Sequence, residues 1–217
     1  MQFFADTADV ELIRELHKTH RLDGVTTNPS LIAKTGRRIT DVIAEICDII
    51  DGPVSAEVTA VDTENMVRQG RLLAEIADHV AVKLPLTKDG LTACHTLSQQ
   101  GIMVNVTLCF SPMQAMMAAR AGATFVSPFV GRLDDIGLHG MDLIQDIAEL
   151  FDLHDMQTEV LAASIRHTEH VLGAAKAGAH IVTIPPKLFD ALLHHPLTQA
   201  GLEQFLDDWQ RAGGQEL

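Results

Sequence analysis

Residues 80–107 read VAVKLPLTKDGLTACHTLSQQGIMVNVT, and the order of patterns within them decides the fold class. Positions 80–84 form a nearly unbroken apolar run, and 102–107 form another. Between them, 91–100 has the spacing of an amphipathic helix and is followed by Gly101, a residue that adopts the left-handed conformation past a helix end without a Cβ penalty. Runs that are apolar throughout, rather than alternating, suit parallel strands covered on both faces. The stretch therefore predicts a strand, a crossover helix and a second parallel strand.

The same unit repeats in both directions. Strands are expected at 2–6, 24–27, 54–58, 80–84, 102–107, 123–127, 159–163 and 179–183. Helices are expected at 9–18, 39–50, 64–77, 91–100, 113–121, 141–151, 169–177 and 187–193. Eight β-then-α units with no linker or low-complexity break predict a single domain spanning 1–217, a (β/α)8 TIM barrel of the α/β class. An open doubly wound sheet has the same local pattern. No G-x-G-x-x-G follows the first strand and no Walker-type loop occurs, which disfavours nucleotide binding. Residues 197–210 are left over: Leu202, Phe205, Leu206 and Trp209 fall at i, i+3, i+4 and i+7, so an additional C-terminal amphipathic helix either caps its own barrel or clasps a neighbouring subunit.

Composition narrows the function. The 217 residues are 47% apolar and 21% charged, as in a globular chain, with 16 basic and 29 acidic residues and a net charge of −13. Such a surface repels phosphate backbones and anionic lipid, which argues against nucleic acid and membrane partners. Three scattered cysteines in no C-x-x-C pattern argue against a disulfide framework or a zinc site. The first residues lack the basic and apolar regions of a secretory signal, and the expected location is cytoplasmic.

A barrel carries its active site at the carboxyl ends of its strands. Read there, the sequence offers Asp6, then Thr26, Thr27 and Asn28, then Glu57, Lys83, Asn105 with Thr107, Ser127 with Arg132 beyond it, Ser164 with Arg166, and Thr183. Polar groups inside apolar runs are expensive singly, so eight strands ending this way predict one shared polar cavity. Lys83 is the sharpest of them. Burial disfavours its ammonium form, and a neutral amine can form a Schiff base with a ketone; a salt-bridged lysine at a strand end is the competing reading. Asp6 and Glu57 supply carboxylates for the proton transfers of such chemistry, against a helix cap for Asp6 and a simple ion-pair role for Glu57. Arg132 and Arg166 with neighbouring serines suit a phosphate, although Asp134 and Asp135 offer Arg132 a local ion pair.

Other patterns carry less. His167 and His170 are spaced H-x-x-H without a third ligand, and are expected to be solvated helix residues rather than a metal site. Met113, Met116 and Met117 are expected to pack a helix. Cys109 is expected to be a small buried residue.

With these residues laid out, the sequence resembles the transaldolase family, in particular its short subfamily, which also contains fructose 6-phosphate aldolases. The resemblance runs almost end to end. It is carried by FADTA at 4–8, GVTTNPS at 24–30, SAEV at 55–58, VKLP at 82–85, NVT at 105–107, SPFVGRLDD at 127–135 and AASIR at 162–166. It implies a cofactor-free and metal-free barrel enzyme that transfers a dihydroxyacetone unit between sugar phosphates: sedoheptulose 7-phosphate and glyceraldehyde 3-phosphate exchange with erythrose 4-phosphate and fructose 6-phosphate, in the non-oxidative pentose phosphate pathway.

By the same resemblance, Lys83 forms the Schiff base, Asp6 takes the proton of the C4 hydroxyl, and Glu57 acts through a water held with Thr107. Asn28 and Asn105 bind the hydroxyls of the dihydroxyacetone unit. Arg132, Arg166 and Ser164 hold the phosphate, while Ser127 lines the cavity near C1. The resembling aldolases have Gln in place of Glu57 and Tyr in place of Phe129; this chain has no tyrosine, so transfer is expected to dominate over cleavage. The family also implies a ring-shaped homo-oligomer, a decamer of two pentamers. Fructose 6-phosphate aldolase activity and a non-catalytic sugar-phosphate-binding barrel are the competing readings.

Overall fold

The computed structural model describes residues 1–20 and 22–214. Among them run eight strands, β1 Gln2–Asp6, β2 Gly24–Thr26, β3 Val54–Glu57, β4 Val80–Pro85, β5 Val104–Cys109, β6 Phe125–Pro128, β7 Glu159–Ala162 and β8 Ile181–Ile184. They close into one barrel in sequence order. Every neighbouring pair is parallel, β8 with β1 included, which excludes the open sheet.

The helices are α1 Val10–His20, α2 Pro29–Thr35, α3 Ile39–Cys47, α4 Thr63–Ala74, α5 Lys88–Ser98, α6 Pro112–Arg120, α7 Val130–Asp134, α8 Gly140–Leu153, α9 Thr168–Lys176, α10 Lys187–Leu193 and α11 Pro196–Arg211. Several begin where local chemistry dictates. Asp62, Thr87 and Ser111 each accept a hydrogen bond from the backbone N–H three residues on, satisfying a donor that the first helical turn leaves unpaired.

The barrel wall has two apolar sides. Outward residues such as Val25, Val54, Val82, Val104, Val126 and Val182 join Ile13, Ile43, Leu97 and Ile144 of the surrounding helices in one core. Inward, Phe4, Ala81, Phe125, Leu161 and Ile181 form a separate cluster within the barrel. Each fully buried ring or branched side chain of this kind contributes about 1.5–3 kcal/mol. Gly24 makes room for it: a Cβ there would stand 2.5 Å from Cζ of Phe4.

The expected elements need four adjustments. Strand β5 starts at Val104 and runs to Cys109, because Gly101, with φ 77°, closes the turn after α5 and leaves Ile102 and Met103 as an irregular lead-in. Helices α2 and α7 were not expected; at seven and five residues they are too short to show a period. Met113 and Met117 are exposed and only Met116 packs against the core. Finally, α11 buries none of its residues and does not cap its own barrel: Leu202, Phe205, Leu206 and Trp209 are all more than half exposed.

Candidate active site

Side chains two apart on a strand face the same way, so the residues just above the inner apolar cluster also point into the barrel. Above Phe4 stands Asp6, above Ala81 Lys83, above Phe125 Ser127, and above Ile181 Thr183. The apolar layer thus continues, toward the carboxyl ends of the strands, into a polar one. Backbone register sets its neighbours: Glu57 pairs with Lys83 across β3 and β4, and Lys83 with Asn105 across β4 and β5.

Lys83 is 6% exposed. Its Nζ lies 2.9 Å from Oε2 of Glu57 and donates to the carbonyl of Thr27 at 3.1 Å. An ammonium has three donors, so one remains for the cavity that Lys83 lines. The ion pair of the competing reading is present, and the same lysine also lines a cavity.

Asp6 does not cap α1. That helix begins at Val10, and Asp9 accepts the N–H of Leu12. Instead Oδ1 of Asp6 accepts from the Thr26 hydroxyl at 2.9 Å. Thr26 has one hydroxyl proton, so the 2.6 Å contact with Thr183 has Thr183 donating. Burial pushes the Asp6 carboxyl above its ordinary range, opposed by the positive charge of Lys83 and the Thr26 hydrogen bond.

On the other side of Lys83, Ser127 donates to Oδ1 of Asn105 at 2.7 Å and the Asn105 amide donates to Ser55 at 3.0 Å. Thr107 is buried, and its hydroxyl has no hydrogen-bond partner among the described residues. Asn28 caps α2 by accepting the N–H of Leu31 at 3.0 Å and lines the same cavity as Lys83.

The cavity has a volume of about 200 Å³ and is lined by Asp6, Asn28, Lys83, Ser127, Phe129, Arg132, Ser164 and Arg166, with Thr26, Ala163 and Thr183. Eight of the eleven residues to which the family resemblance gives a role therefore meet at one opening. Glu57, Asn105 and Thr107 stand behind them, the first two joined by the contacts with Lys83 and Ser127. A wider surface groove of about 410 Å³ by α1 and α2 includes Arg37 and Glu45, which pair with each other.

The two arginines are held differently. Arg132 lies over the Phe129 ring, 5.1 Å from its centroid, and Phe129 meets Phe110 edge-on at 5.7 Å. The competing ion pair of Arg132 with Asp134 or Asp135 does not form: Asp135 pairs with Arg166 at 2.8 Å and Asp134 with His170 at 2.9 Å. Arg132 therefore faces the cavity without an ion pair among the described residues. Ser164 adopts φ 59°, a left-handed conformation that costs a non-glycine residue about 1–3 kcal/mol, and its carbonyl accepts the Gly131 N–H at 3.0 Å. His170 is buried rather than solvated. Cys109 is buried, and desolvation raises its thiol to about 12.

A family model described as transaldolase/fructose-6-phosphate aldolase matches residues 3–216. The chain belongs to this family of enzymes. Proteins named probable transaldolase in Chelativorans sp. and Rhodospirillum centenum are each 59% identical to it over 98% of this chain, covering 98% and 93% of their own lengths. One in Ruegeria sp. is 57% identical, over 98% of both chains. Among solved structures, an inosine 5′-monophosphate dehydrogenase from Legionella pneumophila superposes with TM-score 0.62 at 16% identity, over 87% of this chain and 58% of its own. A thiamine phosphate pyrophosphorylase from Pyrococcus furiosus does so with TM-score 0.60 at 13% identity, over 88% and 93%. These last two likenesses are of fold alone.

For a member of the transaldolase and aldolase family, the arrangement supplies an amine, two carboxylates beside it and two guanidinium groups across a small opening. Sequence reasoning missed how Ser55, Asp134, Asp135 and His170 support that set. Ser55 carries a usable signal, two residues before Glu57 and therefore on its face. The His170 contact links α7 to α9 and has no local signature. Among the described residues, no cluster of three His, Cys, Asp or Glu side chains could hold a metal ion, and no helix is long and apolar enough to cross a membrane.

Proposed function

We propose that the protein is a transaldolase that moves a dihydroxyacetone unit between sugar phosphates through a Schiff base on Lys83. The observation that carries this reading is the position of the Lys83 amine, in contact with Glu57 at 2.9 Å and lining one cavity with Asp6. A binding module has no use for a buried amine between two carboxylates, whereas iminium chemistry needs both.

Glu57 is placed to accept the proton that the amine loses before attacking the ketose carbonyl. The carbinolamine then loses water, with Glu57 acting through a water held by Thr107, whose unpartnered buried hydroxyl offers such a water a hydrogen bond. Asp6, whose burial makes it a stronger base, takes the C4 hydroxyl proton as the C3–C4 bond breaks and the aldehyde departs. The enamine on Lys83 then attacks the acceptor aldehyde, Asp6 returns the proton, and water releases the new ketose. Asn28, Asn105 and Ser127 bind the three-carbon unit; Arg132, Arg166 and Ser164 bind the phosphate. No hydroxyl-bearing ring stands at Phe129, and Phe110 packs against it, so the enamine waits for an aldehyde rather than being protonated to free dihydroxyacetone.

The exchange of sedoheptulose 7-phosphate and glyceraldehyde 3-phosphate for erythrose 4-phosphate and fructose 6-phosphate, as part of the cytoplasmic non-oxidative pentose phosphate pathway, fits this site. A homo-oligomeric ring, a decamer of two pentamers, fits the exposed apolar face of α11. Borohydride trapping with fructose 6-phosphate tests the reading. A reduced three-carbon adduct on Lys83 that diminishes when erythrose 4-phosphate is added supports it. Absence of any lysine adduct in folded protein that still binds the sugar phosphate would establish a binding module instead.

A further inference from the structure

We infer that His170 is a positioning residue for the phosphate side of the cavity, tying the backbone of Arg166 to the end of α7. The inference rests on the proposed role of Arg132 and Arg166 in holding substrate phosphate, and adds a residue that never reaches the cavity itself.

His170 lies in the first turn of α9, yet it is buried. Both ring nitrogens are engaged. Nδ1 accepts the backbone N–H of Arg166 at 3.3 Å, so it carries no proton and the ring proton sits on Nε2. From there it is donated to Oδ2 of Asp134 at 2.9 Å. The other oxygen of Asp134 accepts the Gly140 N–H, the first of α8, at 2.9 Å. One neutral imidazole thus spans from the loop after β7 to the junction of α7 and α8. Desolvation, followed by the neighbouring charge of His167, holds the His170 ring below its ordinary range, opposed by Asp134. That favours the neutral form the two bonds require.

Arg166 is therefore held at two points by consecutive carboxylates: its backbone through His170 to Asp134, and its guanidinium directly by Asp135 at 2.8 Å. The second hold is temporary by design of its chemistry. Both partners are about half exposed, and exposed ion pairs are weakly held, so an arriving phosphate dianion can take the guanidinium from Asp135. The first hold is largely shielded and does not compete with substrate. It keeps the Arg166 backbone, and with it the Ser164 turn, in place while the guanidinium changes partner. Gly131 completes the seat: a Cβ there would stand 2.4 Å from the Ser164 carbonyl and 2.6 Å from Nε of Arg166.

The test compares His170→Ala, His170→Asn and Arg166→Ala with the natural enzyme by KM and kcat for fructose 6-phosphate, and by borohydride trapping of unphosphorylated dihydroxyacetone at Lys83. Loss of the partly buried hydrogen bond that seats the binding arginine is expected to raise KM about tenfold in His170→Ala, with kcat changed less than about twofold and dihydroxyacetone trapping unchanged. His170→Asn, whose side-chain carbonyl can take the place of Nδ1, is expected to recover most of the KM. Should His170→Ala not fold, Asp134→Ala cuts the other end of the tie and is expected to raise KM in the same way. A normal KM in His170→Ala, with a raised one in Arg166→Ala, overturns the inference alone. A normal KM in Arg166→Ala overturns the phosphate reading and the inference with it. Equal losses of kcat, trapping and phosphate affinity in His170→Ala also overturn it, since they mark a general structural role.

Discussion

Lys83 and Glu57 face each other in register on β4 and β3, with Nζ and Oε2 2.9 Å apart. The pair is nearly buried, and a buried pair stripped of one charge leaves the other uncompensated. Glu57→Gln keeps the shape and a hydrogen-bond acceptor while removing the base. It is expected to fold and to slow Schiff-base formation by about 10²-fold. Quenching the reaction with borohydride at short times reads that rate directly; an adduct that forms as fast as in the natural enzyme would remove Glu57 from the mechanism.

Asp6 is expected to set the acidic limb of turnover. Its carboxyl is raised chiefly by burial, so the limb should fall above the usual carboxylate range rather than at about 3.8. The stability sign follows from the same shift. A raised carboxyl makes its contribution below the unfolded-state value, and that contribution is lost as pH rises through the folded-state value. At neutral pH the charged Asp6 is therefore a burden on the fold. Asp6→Asn should melt higher than the natural enzyme at pH 7, yet accumulate the six-carbon adduct on Lys83 because the C3–C4 bond no longer breaks. A lower melting temperature, or a three-carbon adduct, would contradict this assignment.

Phe129 separates transfer from cleavage in the proposed mechanism. Phe129→Tyr places a hydroxyl at the cavity while leaving a ring for Arg132 to lie over. The expected result is a rise in free dihydroxyacetone released from fructose 6-phosphate relative to dihydroxyacetone transferred to erythrose 4-phosphate. Assaying both products in one mixture measures that ratio, and an unchanged ratio would mean that something other than this ring protects the enamine.

Much of this site was legible because strand periodicity is local. Lys83 inside an apolar run, and a polar residue at the end of each strand, follow from period-two geometry once the eight units are counted. What the sequence hid lies across the chain or below the length at which a period shows. Asn28-Pro29 was read for its chemistry, although an Asn cap followed by Pro at the first helical position also starts α2. Asp134 and Asp135 offered Arg132 a competing ion pair because they are its neighbours in sequence. In space those carboxylates reach His170 and Arg166 instead, more than 30 residues away. His170 was placed in solvent because its H-x-x-H spacing does not reveal that its ring meets Asp134 of α7 and the ring of His167.

The last prediction concerns α11. Sixteen residues of isolated helix are marginal in water, and most helices of globular proteins gain their stability by packing an apolar face. Here that face is present, with Phe205 72% exposed and Trp209 55%, and among the described residues nothing buries any side chain of the helix. A second copy of the chain is the proposed cover, and its loss should be readable without touching the barrel. Replacing Leu202, Phe205 and Trp209 together by Glu is expected to lower the sedimentation coefficient to that of smaller assemblies. Far-ultraviolet circular dichroism should keep the barrel signal, and Lys83 should still trap dihydroxyacetone, because none of the residues lining the cavity lies on α11. An unchanged sedimentation coefficient in the triple variant would mean that the ring, if formed, is held by other surfaces.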